Sequence, residues 1–220
     1  GINSNEQLSE LKLVGARLVA AGSSSQIGTT LVDFAVTSFN SVTGASEISP
    51  NQGAVNEGLT SFFTFRQDTA GALTIDGDGK WIVAGSTGYM APGAETNFAV
   101  ARYSNASGQL DAGFGNSGRV ITDFSSLTGT FDAVTSTIVQ ADGKTLVAGF
   151  SKFGFGGATQ GVVSRYLADG KLDEDFGANG RITIGAFSVD GIKGIALGPV
   201  TGDPAGQQIF VAGTVFRDTN

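Results

Sequence analysis

Short apolar runs, each closed by a polar turn that carries glycine, recur along this chain at a fixed spacing. In the clearest copy, Ala133-Val134-Thr135-Ser136-Thr137-Ile138-Val139-Gln140 is rich in β-branched residues and predicts a strand. Asp142-Gly143 predicts a tight hairpin turn, because glycine accepts the positive φ that such a turn demands. Lys144 to Phe150 then predicts a second strand, and Gly161-Val162-Val163-Ser164-Arg165-Tyr166 a third, closed by the turn Asp169-Gly170. A fourth strand, Arg181-Ile182-Thr183-Ile184, starts after Gly180.

The order is written more than once. Ala141-Asp142-Gly143-Lys144-Thr145-Leu146-Val147-Ala148-Gly149 has a near-copy in Gly77-Asp78-Gly79-Lys80-Trp81-Ile82-Val83-Ala84-Gly85. Looser copies are Gln207-Gln208-Ile209-Phe210-Val211-Ala212-Gly213 and Leu18-Val19-Ala20-Ala21-Gly22. The closing glycines, Gly22, Gly85, Gly149 and Gly213, lie 63, 64 and 64 residues apart. Such a period marks repeated supersecondary units. Third strands recur as Phe98-Ala99-Val100-Ala101-Arg102-Tyr103 and, less closely, Phe34-Ala35-Val36-Thr37-Ser38-Phe39. Between third and fourth strands stands L-D-x-x-F-G-x-x-G-R, once from Leu110 to Arg119 and once from Leu172 to Arg181. In the first copy, Asn40 to Gly58 fills that slot without the Phe-Gly or Gly-Arg pairs, and Ser38 replaces the arginine of the third strand. The contact made by Arg102 and Arg165 is therefore expected to be missing there.

These units set the fold class: all-β, a β-propeller-like array of four-stranded antiparallel blades over 7–65, 70–124 and 133–186, with a half blade over 191–215. A four-stranded meander cannot bury both faces by itself, so units must stack. Radial stacking typically takes about four to eight blades. About three and a half repeats do not close a ring, so 1–220 is expected to be one repeat domain that is part of a longer chain. The alternatives are a partner chain covering the open end and units joining into an open assembly.

The string A-D-G-K-x-x-V-A-G, followed by x-R-Y-x-x-x-G-x-L-D-x-x-F-G-x-x-G-R, resembles the delta-60 repeat. The resemblance is strong over 77–119 and 141–181, partial over 191–213 and weak over 11–65. It implies tandem four-stranded blades in a large exported bacterial protein, placed outside the cell, on the cell surface or in the periplasm. It implies no defined activity and supplies no catalytic residues.

Composition narrows the chemistry. With 13 Lys and Arg against 20 Asp and Glu, the net charge is −7, and no basic cluster offers a nucleic-acid surface. No apolar run is long enough for a transmembrane segment. Absence of cysteine and histidine excludes thiol and Ser-His-Asp nucleophiles and His-bearing zinc sites. Asp76-Gly77-Asp78-Gly79 and the stretch from Asp169 to Asp175 invite a calcium reading, but neither follows the ligand spacing of an EF-hand loop, and turns account for both. No metal and no cofactor is expected.

The residues of L-D-x-x-F-G-x-x-G-R recur, and a feature repeated from unit to unit is more simply a requirement of the fold. Leu and Phe are expected to plug the space between blades, with Arg119 and Arg181 reaching carboxylates or carbonyls. For catalysis the candidates are Asp123 and Asp132, flanking the connection between a fourth and a first strand, as a carboxylate pair of the glycosidase kind. Their other reading is two solvated loop carboxylates. For ligand binding the candidates are Tyr89, Met90, Phe153 and Phe155 in the variable second-to-third-strand loops, which run from Ser86 to Thr96 and from Ser151 to Gln160. They either face a protein or carbohydrate ligand or fold back as a small satellite core. The function expected is a non-catalytic binding, adhesion or scaffold module. A carbohydrate-active enzyme and a self-assembling surface or filament component are the alternatives.

Overall fold

The computed structural model describes residues 6–25, 31–48, 59–62, 66–88, 95–124, 129–153, 159–185, 189–200 and 203–215. Among them the regular structure is strand throughout. The first unit comprises β1 (Glu6–Val14), β2 (Arg17–Ser25) and β3 (Val32–Asn40), with the short β4 (Ser46–Ile48) and β5 (Leu59–Thr60) both pairing with β3. The second comprises β6 (Gln67–Ile75), β7 (Trp81–Gly88), β8 (Thr96–Tyr103) and β9 (Arg119–Thr122), and the third β10 (Thr130–Val139), β11 (Thr145–Phe153), β12 (Thr159–Tyr166) and β13 (Arg181–Ile184). A hairpin of β14 (Val189–Val200) and β15 (Asp203–Val215) follows. All strand pairs within a unit are antiparallel. A single parallel rung, Phe131↔Thr96, links the second and third units into one eight-stranded sheet.

The recurring hairpin is slightly longer than a two-residue turn. Gly143 donates its N–H to Gln140 O and has φ of 82°, while Asp142 keeps an ordinary negative φ. A type I turn followed by a left-handed glycine is thus the geometry, and Gly79 repeats it against Asp76. Asp76 Oδ1 accepts the N–H groups of Asp78 and Lys80 at 3.0 and 2.9 Å, which is a turn-forming role for that carboxylate.

The glycines that mark the period answer to a bulge in the facing strand. Each first strand carries an irregularity at the same place: Leu8/Glu10, Ala70/Ala72, Val134/Ser136 and Ile192/Gly194. The bulge swings a carbonyl over the second strand. A Cβ on Gly85 would lie 2.0 Å from Thr69 O, and one on Gly149 1.9 Å from Ala133 O. Only hydrogen fits there.

Apolar side chains form three layers, each shared by consecutive units. Val19, Ala21, Phe34 and Val36 of the first unit meet Leu73, Trp81, Val83, Ala99, Ala101 and Tyr103 of the second. Ile82, Phe98, Val100 and Phe114 meet Val134, Val147, Val162 and Tyr166, and Leu146, Val163 and Phe176 meet Ile192. Second strands lie in the middle of the stack and bury both faces, which is why Trp81 to Ala84 reads as an unbroken apolar run.

Candidate functional site

The signature residues gather into one cluster per unit. In the second, Arg102 bonds Asp111 Oδ2 through Nε at 2.9 Å, and Lys80 reaches the same oxygen at 2.9 Å. The guanidinium lies over the Phe114 ring, 4.7 Å from its centre. The third repeats this with Arg165–Asp173 at 2.8 Å, Lys144–Asp173 at 3.1 Å and Arg165 over Phe176 at 4.4 Å. Lys80 chiefly holds the Asp111 carboxyl below the usual range, although burial pushes against it. Burial pushes Asp173 upward, but Lys144 and Arg165 outweigh it and hold the group low. Lysine of the hairpin, arginine of the third strand, and Asp and Phe of the signature therefore form one stacked ion cluster.

The cluster also reaches across. Arg102 Nη1 donates to Ala168 O, and Gly115 N–H donates to Asp169 O at 2.7 Å, both in the third unit. The first unit makes the corresponding contact differently. Arg17 pairs with Glu47 at 2.9 Å, and its Nη1 donates to Asn105 O at 2.7 Å. Asn105 follows Tyr103 at the same distance as Ala168 follows Tyr166. The contact expected to be missing with Ser38 is supplied from the second strand. For Arg119 and Arg181, Nε is buried without a hydrogen-bond partner.

Asp132 lies inside β10 and is fully buried, whereas Asp123 follows β9 and is exposed. One Asp132 oxygen accepts Phe124 N–H at 3.4 Å. Oδ1 has no well-formed hydrogen bond, though the Ser151 hydroxyl beside it eases the charge. Burial raises the group to about 6, with Asp123 and Glu95 adding repulsion. The second unit holds the same arrangement at Asp68. Its Oδ2 accepts Phe62 N–H at 2.7 Å, Thr87 stands where Ser151 stands, and burial raises it to about 6. Each carboxyl fastens the start of a first strand to the preceding connection, where Phe62 packs edge-on to Phe34 and Phe124 to Phe98. Position matching along the repeats would have revealed the Asp68 and Asp132 pair, which lie 64 residues apart.

Tyr89, Met90 and Phe155 lie outside the described residues. Phe153 ends β11, opposite Thr130, and its side chain is likewise outside the description. Among the described residues, a groove of about 840 Å³ runs between β9 and the third unit's signature. Arg119, Lys144 and Lys171 face Asp173, Glu174 and Asp175 there, over a floor that includes Val120, Ile121 and Leu172. Sequence reasoning missed this groove, because it is made between units. The described residues contain no group of three or more carboxylates placed to hold a metal ion, and no helix long and apolar enough to cross a membrane.

A family model described as a domain of unknown function (DUF5122), beta-propeller, matches residues 77–114 and 140–176. No curated protein matches the chain. Among solved structures, an endo-arabinase from Bacteroides thetaiotaomicron is similar at 10% identity and a TM-score of 0.49, over 94% of this chain and 74% of its own. An exo-1,5-alpha-L-arabinanase from a bovine ruminal metagenomic library is similar at 10% identity and a TM-score of 0.47, over 94% and 73%. The chain is all-β, and its two most regular repeats match a β-propeller family.

Proposed function

We propose that the chain is a non-catalytic β-propeller module of an exported bacterial protein of the delta-60 type, which binds or scaffolds through its variable loops and inter-unit groove. One observation carries this reading: the lysine, arginine and aspartate of the cluster that recurs in the second and third units are committed to one another. Lys80, Arg102 and Asp111 hold one another, as do Lys144, Arg165 and Asp173. Asp132 shares its fastening role with Asp68, and a pair made of one buried and one exposed carboxylate on separate tasks is a poor glycosidase arrangement. Protein or carbohydrate ligands are then met by Tyr89, Met90, Phe153 and Phe155, whose loops differ between units.

The test compares ligand capture with turnover. A polysaccharide array should show retention without product, and Tyr89→Ala combined with Phe153→Ala and Phe155→Ala should abolish retention while thermal unfolding stays cooperative. Product release that disappears in Asp132→Asn would overturn the reading in favour of a carbohydrate-active enzyme.

A further inference from the structure

At the junction of the second and third units, three buried oxygens lack a well-formed hydrogen bond: Asp132 Oδ1, Ser151 Oγ and Thr130 Oγ1. Their residues are 0%, 1% and 1% exposed. Register places them together. Asp132 stands opposite Ser151, and Thr130 lies two residues earlier on the same face of β10. That face continues through Val134 and Val147, which share a core layer with Phe98 and Val100 of the second unit. Nearby backbone leaves the three oxygens unanswered. Phe124 N–H goes to the other oxygen of Asp132, and Thr96 Oγ1 bonds the Asp132 backbone. Buried oxygens of this kind ordinarily find a donor, so three in one place need a physical reason.

The second unit holds the same set with one change. Asp68 stands opposite Thr87, both 0% exposed, and Asp68 Oδ1 and Thr87 Oγ1 again lack a well-formed hydrogen bond. Two residues before Asp68, however, comes Arg66, where the third unit has Thr130. Burial opposes charge on both carboxyls. Beyond burial, Arg66 favours the charged form of Asp68 against the repulsion of Asp33. At Asp132 the two neighbouring charges, Asp123 and Glu95, both repel. A buried carboxylate is balanced by a side-chain cation, a bound ion or a proton. The second unit supplies the side-chain cation. The third puts a neutral oxygen in its place, in more negative surroundings.

The donors define the ion. One carboxylate and two hydroxyls are hard oxygen ligands, with no nitrogen or sulfur among them. Calcium accepts an irregular set of about six to eight oxygens, charged and neutral together, and completes it with water. Magnesium demands a near-ideal octahedron, which three donors on two neighbouring strands do not make. The acidic turns are differently employed: Asp76 Oδ1 accepts two backbone N–H groups, and Asp142 Oδ1 and Asp169 Oδ1 accept one each.

We propose that Asp132, Ser151 and Thr130 form a calcium site at the junction of the second and third units, doing there what Arg66 does at the junction before it. This goes beyond the binding role above and is independent of what the loops hold. The test adds calcium chloride to the chelator-treated full chain, read by calorimetry and thermal unfolding, with magnesium chloride alongside. One equivalent of calcium should bind, and a hundredfold excess over Kd should raise the midpoint by roughly 5–10 °C. Magnesium should leave it in place. Thr130→Ala and Ser151→Ala keep the carboxyl and should each weaken calcium binding by about tenfold, with unchanged circular dichroism. Thr130→Arg should abolish calcium binding and raise the calcium-free midpoint; if that variant does not fold, the two alanine variants decide. Three results would overturn the proposal. The first is neither heat nor midpoint shift with calcium, which leaves the carboxyl to protons alone. The second is an equal response to magnesium. The third is calcium binding that survives Thr130→Ala combined with Ser151→Ala, which moves the ion to exposed carboxylates such as Asp123.

Discussion

The first and second units solve one problem with different residues. Both send a guanidinium to a carbonyl two residues past the third-strand tyrosine of the unit ahead, Asn105 O or Ala168 O. In the second unit the donor is Arg102 on the third strand, braced by Asp111; in the first it is Arg17 on the second strand, braced by Glu47. What the repeat keeps is the junction and its charge pairing, and the side chain can come from either of two neighbouring strands. The glycine under the bulge allows no such exchange, because its constraint is backbone against backbone. A Cβ on Gly22 would lie 2.0 Å from Gln7 O, as one on Gly85 would from Thr69 O.

The largest expected effect follows from that contrast. Gly22→Ala and Gly85→Ala should be equally damaging, however degenerate the first unit is elsewhere, with losses of more than about 4 kcal/mol or failure to fold. Gly77→Ala, which meets nothing within 4 Å, is the control and should leave the urea midpoint nearly unchanged. A tolerated Gly22→Ala would show that the first unit does not share the bulge.

The arginines come next. Arg102→Ala removes a buried donor that serves both Asp111 and Ala168 O, and should cost about 3 kcal/mol in denaturant unfolding. Arg17→Ala should cost less, because the Arg17–Glu47 pair is more open to water. If the two junctions are equivalent, placing the donor back on the third strand through Ser38→Arg should partly restore Arg17→Ala. Failure of that rescue would mean that the junctions differ in backbone as well as in residue.

How much of this could be read from the letters depends on whether a constraint is local. Arg181 to Ile184 is a strand at the residues expected, because its ends are set by a left-handed glycine at 180 and another at 185. The Asp142-Gly143 turn was legible for the same reason. First strands begin earlier than expected, at Thr130 for the third unit, because their opening residues are fixed by the preceding unit. The Arg17 substitution was not legible, since Ser38 records a loss while the replacement sits 21 positions upstream on another strand. Asp132 read as a loop carboxylate because its burial is created by Phe124 and by Thr96 on β8, which bonds its backbone N–H and carbonyl.

Asp68 and Asp132 give the third effect, in pH. Their folded-state pKa of about 6 lies above the unfolded value near 4, so folding favours the protonated form. The stability they confer is therefore complete below about pH 4 and is lost as pH rises through about 6. Each should account for about 2 kcal/mol across that window, opposite in sign to the ordinary acid-side loss from Asp111 and Asp173. Asp68→Asn and Asp132→Asn keep an acceptor for the Phe62 or Phe124 N–H and should flatten the slope. A midpoint that still falls between pH 4 and 7 in the double variant would assign the dependence to other groups.

The smallest effect concerns the hydroxyl ties. Tyr103→Phe and Tyr166→Phe leave the rings in place and strand the buried oxygen of Thr60 or Thr122, so each should cost about 1 kcal/mol. Adding Thr60→Val or Thr122→Val removes the stranded partner and should recover most of the loss, since an apolar pair of the same shape needs no hydrogen bond. That double variant leaves an aromatic ring without a hydroxyl in the tyrosine slot. Phe39 supplies such a ring in the tyrosine slot of the first unit. If the double variants recover no stability, the threonine hydroxyls have a second partner.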